Sequence, residues 1–279
     1  MTLSRADITR ILAEHGLSPR RAFGQNFVAD PNTVRRIARM AAVGPGDLVI
    51  EVGPGLGSLT LALAETGADV VAVEVDRGLI PLLHSITADR NNVTVVEGDA
   101  MTLDWSALVP RPATLVANLP YNIATPLIAD LLDSVPQLHR FVVMVQREVA
   151  LRLAATPGHG DYGAVSVKVS YWATARLLGD VPATVFVPRP KVTSSIIEIT
   201  RRAEPAVAAD VPATELFALV RQAFGQRRKM LRRSLADRTT PEIFERADVS
   251  PEARPEQLDV VQWGRLTRAV LDSRKNGVA

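Results

Sequence analysis

The sequence of 279 residues contains no cysteine. This absence excludes disulfide bonds, thiol nucleophiles and cysteine-ligated zinc sites. No apolar run approaches the roughly 18 residues that a membrane-spanning helix needs. The helical pattern over residues 1–16 carries charges throughout and lacks the apolar core of a signal peptide. We therefore expect a cytoplasmic protein that makes no use of a membrane.

A strong net charge is also lacking, since the formal value is only +2. The cations are nevertheless unevenly distributed, because five of them fall within residues 226–233 and no acid interrupts the run at helical spacing. A solvated helix face is the ordinary explanation of isolated basic pairs. For this cluster we favour a polyanion-binding surface. Its members are Arg227, Arg228, Lys229, Arg232 and Arg233.

Short apolar runs alternate with helical segments from Leu48 to Val145. This alternation predicts an α/β domain with a mostly parallel, Rossmann-like sheet and helices on both faces. The segment from Ala203 to Pro212 is rich in Ala, Pro and acidic residues and is interpreted as a linker to a small C-terminal helical domain. Further predicted elements are strands at Val165–Tyr171 and Val192–Ile199, and helices at Ala213–Leu235, Pro241–Arg246 and Pro255–Ser273.

A glycine-rich turn follows the first strand of the α/β segment, where Gly53, Gly55 and Gly57 alternate with other residues. Glycine lets the chain turn sharply and approach a ligand without a Cβ clash. About 20 residues later Glu74 ends the next strand, where a carboxylate can accept both ribose hydroxyls. Nearby Asp76 is interpreted as an ordinary strand-end charge.

Asp99 ends the following strand and can accept a hydrogen bond from an adenine amino group. Strand ends of a parallel sheet share one edge, so these groups are expected to line one crevice. The Gly-x-Gly-x-Gly spacing lacks the end of the dinucleotide fingerprint, and the preceding Glu51 is typical of methyltransferases. The sequence therefore predicts an S-adenosylmethionine site. The upstream segment from Arg21 to Val28 is either a lid over its methionine end or a loop packed on the core.

The tetrapeptide Asn118-Leu119-Pro120-Tyr121 closes another apolar run. The Asn118 side-chain oxygen and the Pro120 carbonyl can each accept one hydrogen from an adenine N6. Tyr121 can stack on the base, a contact worth roughly 1–3 kcal/mol. A strand-ending turn is the alternative, since Asn and Pro are common in turns, and the tetrapeptide alone does not decide between the two.

Six ordered motifs carry a resemblance to a known family: Phe23-Gly24-Gln25-Asn26-Phe27, Glu51-Val52-Gly53-Pro54-Gly55-Leu56-Gly57, Asn118-Leu119-Pro120-Tyr121-Asn122-Ile123, Gln146-Arg147-Glu148-Val149, Phe186-Val187-Pro188-Arg189-Pro190-Lys191-Val192 and Phe224-Gly225-Gln226-Arg227-Arg228-Lys229. The chain resembles the KsgA/RsmA family of ribosomal RNA adenine N6,N6-dimethyltransferases. The resemblance implies dimethylation of two adjacent adenines near the 3′ end of small-subunit (16S) rRNA. It also implies S-adenosylmethionine as methyl donor, no metal, and a monomer acting on a pre-30S particle late in small-subunit biogenesis.

The resemblance also assigns roles to individual residues. The implied cofactor-binding residues are Asn26, Val28, Gly53, Glu74, Asp99 and Asn118. The implied catalytic residues are Asn118, Pro120, Tyr121 and Phe186, with Tyr121 and Phe186 stacking on the base. Simple core packing is the alternative for Phe186. Lys191 is a candidate phosphate contact or, equally, a solvated charge. The implied organisation is a catalytic domain over residues 1–202, including the N-terminal lid, and an RNA- and ribosome-binding helical domain over residues 203–279.

Two other functions remain open at this stage. A large-subunit rRNA adenine methyltransferase of the macrolide-resistance type shares several motifs, but Leu119 and residues 226–229 favour the small-subunit enzyme. A non-catalytic ribosome-assembly factor that keeps the fold is the other alternative. Such a factor predicts lost site residues, whereas Glu74, Asp99 and Asn118 are present.

Overall fold

The computed structural model describes residues 2–20 and 23–275. Predictions for Arg21, for Ala22 and for the tail beyond Lys275 lie outside the described residues. The strands are β1 Phe27–Val28, β2 Leu48–Val52, β3 Asp69–Glu74, β4 Val93–Glu97, β5 Ala113–Asn118, β6 Leu138–Gln146, β7 Ala173–Val181, β8 Phe186–Val187 and β9 Ser194–Arg201. The helices are α1 Arg5–Glu14, α2 Pro31–Ala41, α3 Ser58–Ala64, α4 Ile80–Thr87, α5 Trp105–Leu108, α6 Ala124–Ser134, α7 Arg147–Ala154, α8 Ala164–Trp172, α9 Ala213–Gly225, α10 Leu231–Ser234, α11 Pro241–Ala247 and α12 Val260–Lys275.

Seven strands form one sheet in the order β4-β3-β2-β5-β6-β9-β7. The pairs from β4 to β6 are parallel, and β9 pairs with β6 in the antiparallel direction. This arrangement confirms the predicted Rossmann-like fold. The strand order reverses between β2 and β5, and such a switch point opens a crevice at the carboxyl ends of the strands. A separate two-stranded sheet pairs β1 with β8 in the antiparallel direction.

The chain divides into two compact units, residues 1–150 with 176–201 and residues 151–175 with 202–279. The sequence predicts one uninterrupted domain over residues 1–202, whereas in the structure the segment 151–175 belongs to the second unit. Its apolar side chains explain the difference, because Tyr162, Val167 and Tyr171 are buried in one core with Phe217 and Trp263. The first unit contains the seven-stranded sheet apart from the first three residues of β7, and the rest of the second unit's regular structure is helical.

Two secondary-structure predictions are wrong. The alternating pattern of Val165–Tyr171 predicts a strand, but these residues lie in helix α8. Val167 and Tyr171 are four residues apart and share one helical face in the core of the second unit, so tertiary packing outweighs the β-propensity of valine. The helix predicted over Ala213–Leu235 ends at Gly225, and an exposed turn separates it from α10. No helix of the described residues is both long and apolar enough to cross a bilayer.

Candidate functional site

A cleft that is open to solvent lies at the carboxyl ends of β2, β3 and β5. Its walls come from the glycine-rich turn, the ends of those strands and the segment Phe23–Val28. The structure brings together all six residues that the sequence predicts for the cofactor: Asn26, Val28, Gly53, Glu74, Asp99 and Asn118 line this cleft.

The glycine-rich turn adopts left-handed backbone angles that favour glycine. The φ values are +72° at Gly53, +58° at Gly55 and +78° at Gly57. A Cβ at Gly55 would lie 2.7 Å from the Phe27 ring, so a larger residue would displace the segment that covers the turn. Gly57 then starts helix α3. The turn therefore lets its backbone come close to a ligand on one side and to the Phe27 ring on the other.

Glu74 is buried at the end of β3 and accepts three backbone hydrogen bonds. The donors are the N–H groups of Gly55 (2.9 Å), Val75 (3.0 Å) and Asp76 (2.9 Å). Burial raises the pKa of the Glu74 carboxyl, and these hydrogen bonds partly offset the rise. Asp99 is exposed, and its Oδ1 accepts from the Met101 N–H at 2.9 Å. Both carboxyl groups thus accept backbone hydrogen bonds and belong to residues that line the same cleft.

Glu51 and Ser58 bring unpaired polar atoms to the cleft. Glu51 is 1 % exposed, and its Oε2 has no hydrogen-bond partner among the described residues; the same is true of the Ser58 Oγ. Burial raises the pKa of Glu51 to about 8, and the nearby Glu74 adds to the rise while Thr60 opposes it. Buried polar atoms are normally paired. Their presence fits a ligand with a polar, cationic end, such as the amino-acid portion of S-adenosylmethionine.

The Asn118 amide is oriented by a backbone group on the N-terminal segment. Its Nδ2 donates to the Asn26 carbonyl at 2.9 Å, and in the described part of the chain its Oδ1 has no hydrogen-bond partner. A neutral amide has two donors on nitrogen and acceptor capacity on oxygen only. The hydrogen bond to Asn26 therefore leaves the oxygen available to accept from a base.

Pro120 does not fit the acceptor role predicted for it. Its carbonyl already accepts from the N–H groups of Ile123 (3.2 Å) and Ala124 (3.1 Å) at the start of α6. A carbonyl has two lone pairs, so both are engaged. The adjacent Leu119 carbonyl receives no hydrogen bond from the residues described, and Leu119 lines the cleft. The sequence interpretation overlooked Leu119 as an acceptor because every residue offers a carbonyl.

The two predicted stacking aromatics have different environments. Tyr121 is partly exposed, and its hydroxyl lies 2.7 Å from the Ser194 Oγ. Burial raises the Tyr121 pKa, and the contact with Ser194 partly offsets the rise. Phe186 has an exposure of 0 % and packs in an apolar core with residues that include Val34 and Ile196. In this conformation the Phe186 ring packs in the core, which is the alternative to base stacking, and it is not exposed to a base.

The predicted basic cluster lies in the second unit, where all five cations are exposed. Arg227 donates to the Gly160 carbonyl at 2.8 Å and lies 3.8 Å from a Glu256 oxygen. Arg232 lies 3.8 Å from Glu252. The side chains of the other three, Arg228, Lys229 and Arg233, have no ion pair or hydrogen bond with any described residue. The exposed Lys191 belongs to the first unit.

Asp76 differs most from the sequence analysis, which interprets it as an ordinary strand-end charge. It is 3 % exposed and accepts hydrogen bonds from Arg20 and Gln25. These partners lie 56 and 51 residues earlier in the chain. No local pattern indicates such a contact.

Known proteins resemble this chain over most of its length. Residues 16–272 match the family model described as "Ribosomal RNA adenine dimethylase". A relative from Cutibacterium acnes named "Ribosomal RNA small subunit methyltransferase A" is 45 % identical, with 97 % of this chain and 95 % of the relative covered. A relative of the same name from Bifidobacterium longum subsp. infantis is 44 % identical, with 96 % and 93 % covered.

Two solved structures are similar over most of the chain. A dimethyladenosine transferase from Plasmodium falciparum superposes with a TM-score of 0.75 at 25 % identity, with 89 % of this chain and 97 % of that chain covered. The 23S rRNA methyltransferase ErmE superposes with a TM-score of 0.69 at 28 % identity, with 88 % and 99 % covered. This chain therefore belongs to the ribosomal RNA adenine dimethylase family.

Proposed function

We propose that this enzyme transfers methyl groups from S-adenosylmethionine to the N6 atoms of two adjacent adenines near the 3′ end of small-subunit rRNA. The observation that carries the proposal is the oriented Asn118 amide, which lines the same cleft as Glu74 and Asp99 and whose Oδ1 accepts no hydrogen bond from the described residues. The names of the curated relatives support the small subunit as the substrate. We further propose that the enzyme acts as a monomer on an immature small subunit.

Different residues of the cleft would bind different parts of the cofactor. S-adenosylmethionine supplies an electrophilic methyl group on a sulfonium sulfur. Glu74 would accept the ribose hydroxyls, and Asp99 would accept the adenine amino group. Glu51 and Ser58, which have unpaired atoms, would receive the ammonium end. Each of these groups sits near a strand end, on the turn that follows or at the start of α3, so the protein fixes the methyl donor before the base enters.

Activation of the target nitrogen depends on Asn118 and Leu119. The lone pair of an adenine N6 is delocalised into the ring, which makes the nitrogen a poor nucleophile. Two acceptors that each bind one N6 hydrogen favour a pyramidal nitrogen and direct its lone pair to the methyl group. Asn118 and Leu119 both line the cleft, and neither the Asn118 Oδ1 nor the Leu119 carbonyl accepts a hydrogen bond from the described residues. The alkylated nitrogen is acidic and can release its proton to water.

Tyr121 would stack on the adenine once the base has left its helix. Enzymes that modify a base extrude it from the stack and hold it against aromatic side chains. The Tyr121 ring follows Pro120 directly, and its hydroxyl is fixed by Ser194. Positioning of this kind supplies several kcal/mol of a reaction barrier, because it removes the need to align two free reactants.

The basic cluster would bind rRNA phosphates from the second unit. Within the cluster, Arg228, Lys229 and Arg233 are the cations that form no ion pair with the described residues. Phosphate contacts of this kind provide affinity with little sequence dependence and release counterions, so binding is expected to weaken as salt rises.

The test is methylation of defined ribosomal particles with labelled S-adenosylmethionine. Unmethylated small and large subunits are incubated separately with the enzyme, and the modified nucleotides are mapped by mass spectrometry. We expect N6,N6-dimethyladenine at two adjacent positions near the 3′ end of small-subunit rRNA. Label confined to large-subunit rRNA would support the resistance-type activity instead. No label in either subunit, with the rRNA still bound, would support the non-catalytic assembly factor.

A further inference from the structure

Asp76 places a carboxylate at the centre of a buried hydrogen-bond network. Its Oδ1 accepts from the Arg20 Nη1 at 3.1 Å and from the Gly78 N–H at 3.0 Å. Its Oδ2 accepts from the Gln25 Nε2 at 2.8 Å. A buried carboxylate is costly unless it is paired and hydrogen-bonded, so the three donors hold the side chain in this place.

Gln25 connects this carboxylate to the N-terminal wall of the cleft. While its Nε2 donates to Asp76, its Oε1 accepts from the Arg20 N–H at 2.8 Å. The neighbouring Asn26 carbonyl accepts from the Asn118 amide. Gln25 is therefore fixed through both ends of its amide, in the same short segment that orients the catalytic side chain.

The backbone of Asp76 contacts the opposite side of the site. Its N–H donates to the Glu74 Oε1 at 2.9 Å. One residue thus joins the carboxylate proposed for the ribose to the segment Phe23–Val28. Asp76 does not itself line the cleft. Any effect of its side chain on the cofactor must therefore act through the residues that it holds.

We propose that Asp76 is a positioning residue, which holds the segment Phe23–Val28 against the cleft through Gln25 and Arg20 and thereby sets the affinity for S-adenosylmethionine. This inference rests on the proposed function, because it takes S-adenosylmethionine as the ligand of the cleft. It adds to the proposed function a role for a residue that does not line the cleft and that acts only through the residues it holds.

The network allows a reciprocal exchange of amide and carboxylate. Asp76→Asn alone makes the new amide nitrogen face the Gln25 nitrogen, so two donors oppose each other. Gln25→Glu alone makes two carboxylates face each other. In the double variant the new carboxylate at position 25 accepts from the Arg20 N–H and from the new amide nitrogen. The oxygen of the new amide still accepts from Arg20 Nη1 and Gly78 N–H, so every hydrogen bond is restored.

The measurement is S-adenosylmethionine binding to the full chain by calorimetry, with thermal unfolding in parallel. A hydrogen bond to a charged group is worth roughly 10- to 100-fold in an equilibrium constant. We expect each single variant to raise the cofactor Kd by about 10-fold or more, and the double variant to return it to within about threefold of wild type. Hydrogen exchange over residues 23–30 should rise in the single variants and fall again in the double variant.

Glu97→Gln is the matched control. Glu97 ends the neighbouring strand β4 and accepts from Arg77 at 2.7 Å, but this exposed pair does not touch the N-terminal segment. Its replacement removes the same charge and should leave the cofactor Kd unchanged. If Asp76→Asn does not fold, Arg20→Ala and Gln25→Glu remove contacts of the same carboxylate and carry the test.

The possible outcomes separate this inference from the proposed function. A wild-type protein that does not bind S-adenosylmethionine would overturn both. Wild-type binding with unchanged Kd in the single variants would overturn the positioning role alone. Weakened single variants that the exchange does not restore would also overturn it, because Gln25 lines the cleft and would then act by direct contact. Restoration by the exchange supports the proposal.

Discussion

The Tyr121 hydroxyl lies 2.7 Å from the Oγ of Ser194, the first residue of β9. Ser194 is fully buried, so its hydroxyl is held by the packing around it. The tyrosine ring is therefore fixed at two ends, by the backbone turn after Pro120 and by its hydroxyl. A ring fixed in this way loses little further freedom when a base stacks on it.

Ser194→Ala is expected to lower kcat/KM for rRNA by about tenfold, because a lost hydrogen bond that leaves its partner unsatisfied costs about 1–3 kcal/mol. Tyr121→Phe removes the same bond from the other side and should have a similar effect. In the Tyr121→Phe background, Ser194→Ala should add little. Steady-state methylation kinetics of the four proteins in this double-mutant cycle provide the measurement.

Ser195 offers a control one residue away, since its hydroxyl donates to Asp180 rather than to Tyr121. Ser195→Ala should leave kcat/KM for rRNA near the wild-type value. Additive losses from Ser194→Ala and Tyr121→Phe would refute the coupling between these two hydroxyls.

Asn118→Ala should lower the methylation rate by about 10²-fold or more, the usual cost of removing one preorganised hydrogen-bond group at a reacting centre. Single-turnover methylation measures the rate. Calorimetry with S-adenosylmethionine, which is expected to bind with a measurable Kd, shows that the cleft persists. Wild-type methylation rates in this variant would contradict the acceptor role of its oxygen.

Much of the site could be predicted because its signals are local. The strand that precedes Gly53, the carboxylate at Glu74 and the turn at Asn118 each occupy a few consecutive residues at a strand end. A parallel sheet brings such ends to one edge whatever the rest of the chain does. Gly53, Glu74, Asp99 and Asn118 consequently line one cleft. Asn26 and Val28 also line it, but only the resemblance to the family indicates them.

The features that could not be predicted depend on contacts between distant residues. Asp76 has the sequence context of any strand-end charge, and its partners precede it by more than fifty residues. The helix α8 has the alternating pattern of a strand, and only packing within the second unit decides its conformation. Whether the carbonyl of Pro120 or that of Leu119 is left without a hydrogen bond from the described residues depends on where α6 begins. Composition and spacing contain none of this information.

The protonation of Glu51 predicts a pH dependence of stability. Its pKa is about 8 in the folded protein and near the ordinary glutamate value of 4.5 in the unfolded chain. Between these values the folded state binds more protons, so this residue makes stability fall as pH rises from about 4.5 to about 8. The slope is at most about 1.4 kcal/mol per pH unit.

Glu51→Gln keeps the shape of the side chain and cannot ionise. The difference in unfolding free energy between wild type and Glu51→Gln, measured by urea denaturation at pH 5 to 8 without cofactor, isolates the contribution of this carboxyl. We expect wild type to lose stability relative to the variant as pH rises. A difference that stays constant over this range would show that Glu51 is already ionised in the folded protein.

The unpaired cations of the second unit should contribute more to rRNA affinity than the paired ones. Arg228→Ala with Lys229→Ala is expected to weaken binding and to reduce the slope of log K against log salt by about 0.9 for each phosphate that the variant no longer neutralises. Filter binding of small-subunit rRNA over a salt series gives both quantities. Arg227→Ala should have a smaller effect, because its guanidinium donates to Gly160.

Arg265 and Arg268 provide a control with the same change in net charge. They lie on α12 and pair with Asp248 and Asp210, respectively. Replacement of both by Ala should leave the salt slope close to that of wild type. An equal loss of slope in the two double variants would mean that overall charge, and not the turn after α9, governs binding.

Variants of Phe186 show whether its ring acts by core packing or by base stacking. Its ring is fully buried, so Phe186→Ala should cost about 3–5 kcal/mol of unfolding free energy, as expected for a large core side chain. Phe186→Leu keeps most of the apolar volume, leaves a smaller cavity and is expected to cost less than Phe186→Ala. Urea denaturation measures both changes. If the ring acts only by packing, Phe186→Leu also keeps kcat/KM for rRNA near the wild-type value.

Tyr121→Leu is the companion variant, because it removes an aromatic ring that is partly exposed. Loss of base stacking is worth roughly 1–3 kcal/mol, so kcat/KM for rRNA should fall by about 5- to 100-fold in this variant. A comparable fall in kcat/KM for Phe186→Leu, at unchanged stability, would show that this ring leaves the core and contacts the base during the reaction. Retained activity in Phe186→Leu, with the loss in Tyr121→Leu, would assign base stacking to Tyr121 alone of the two aromatics.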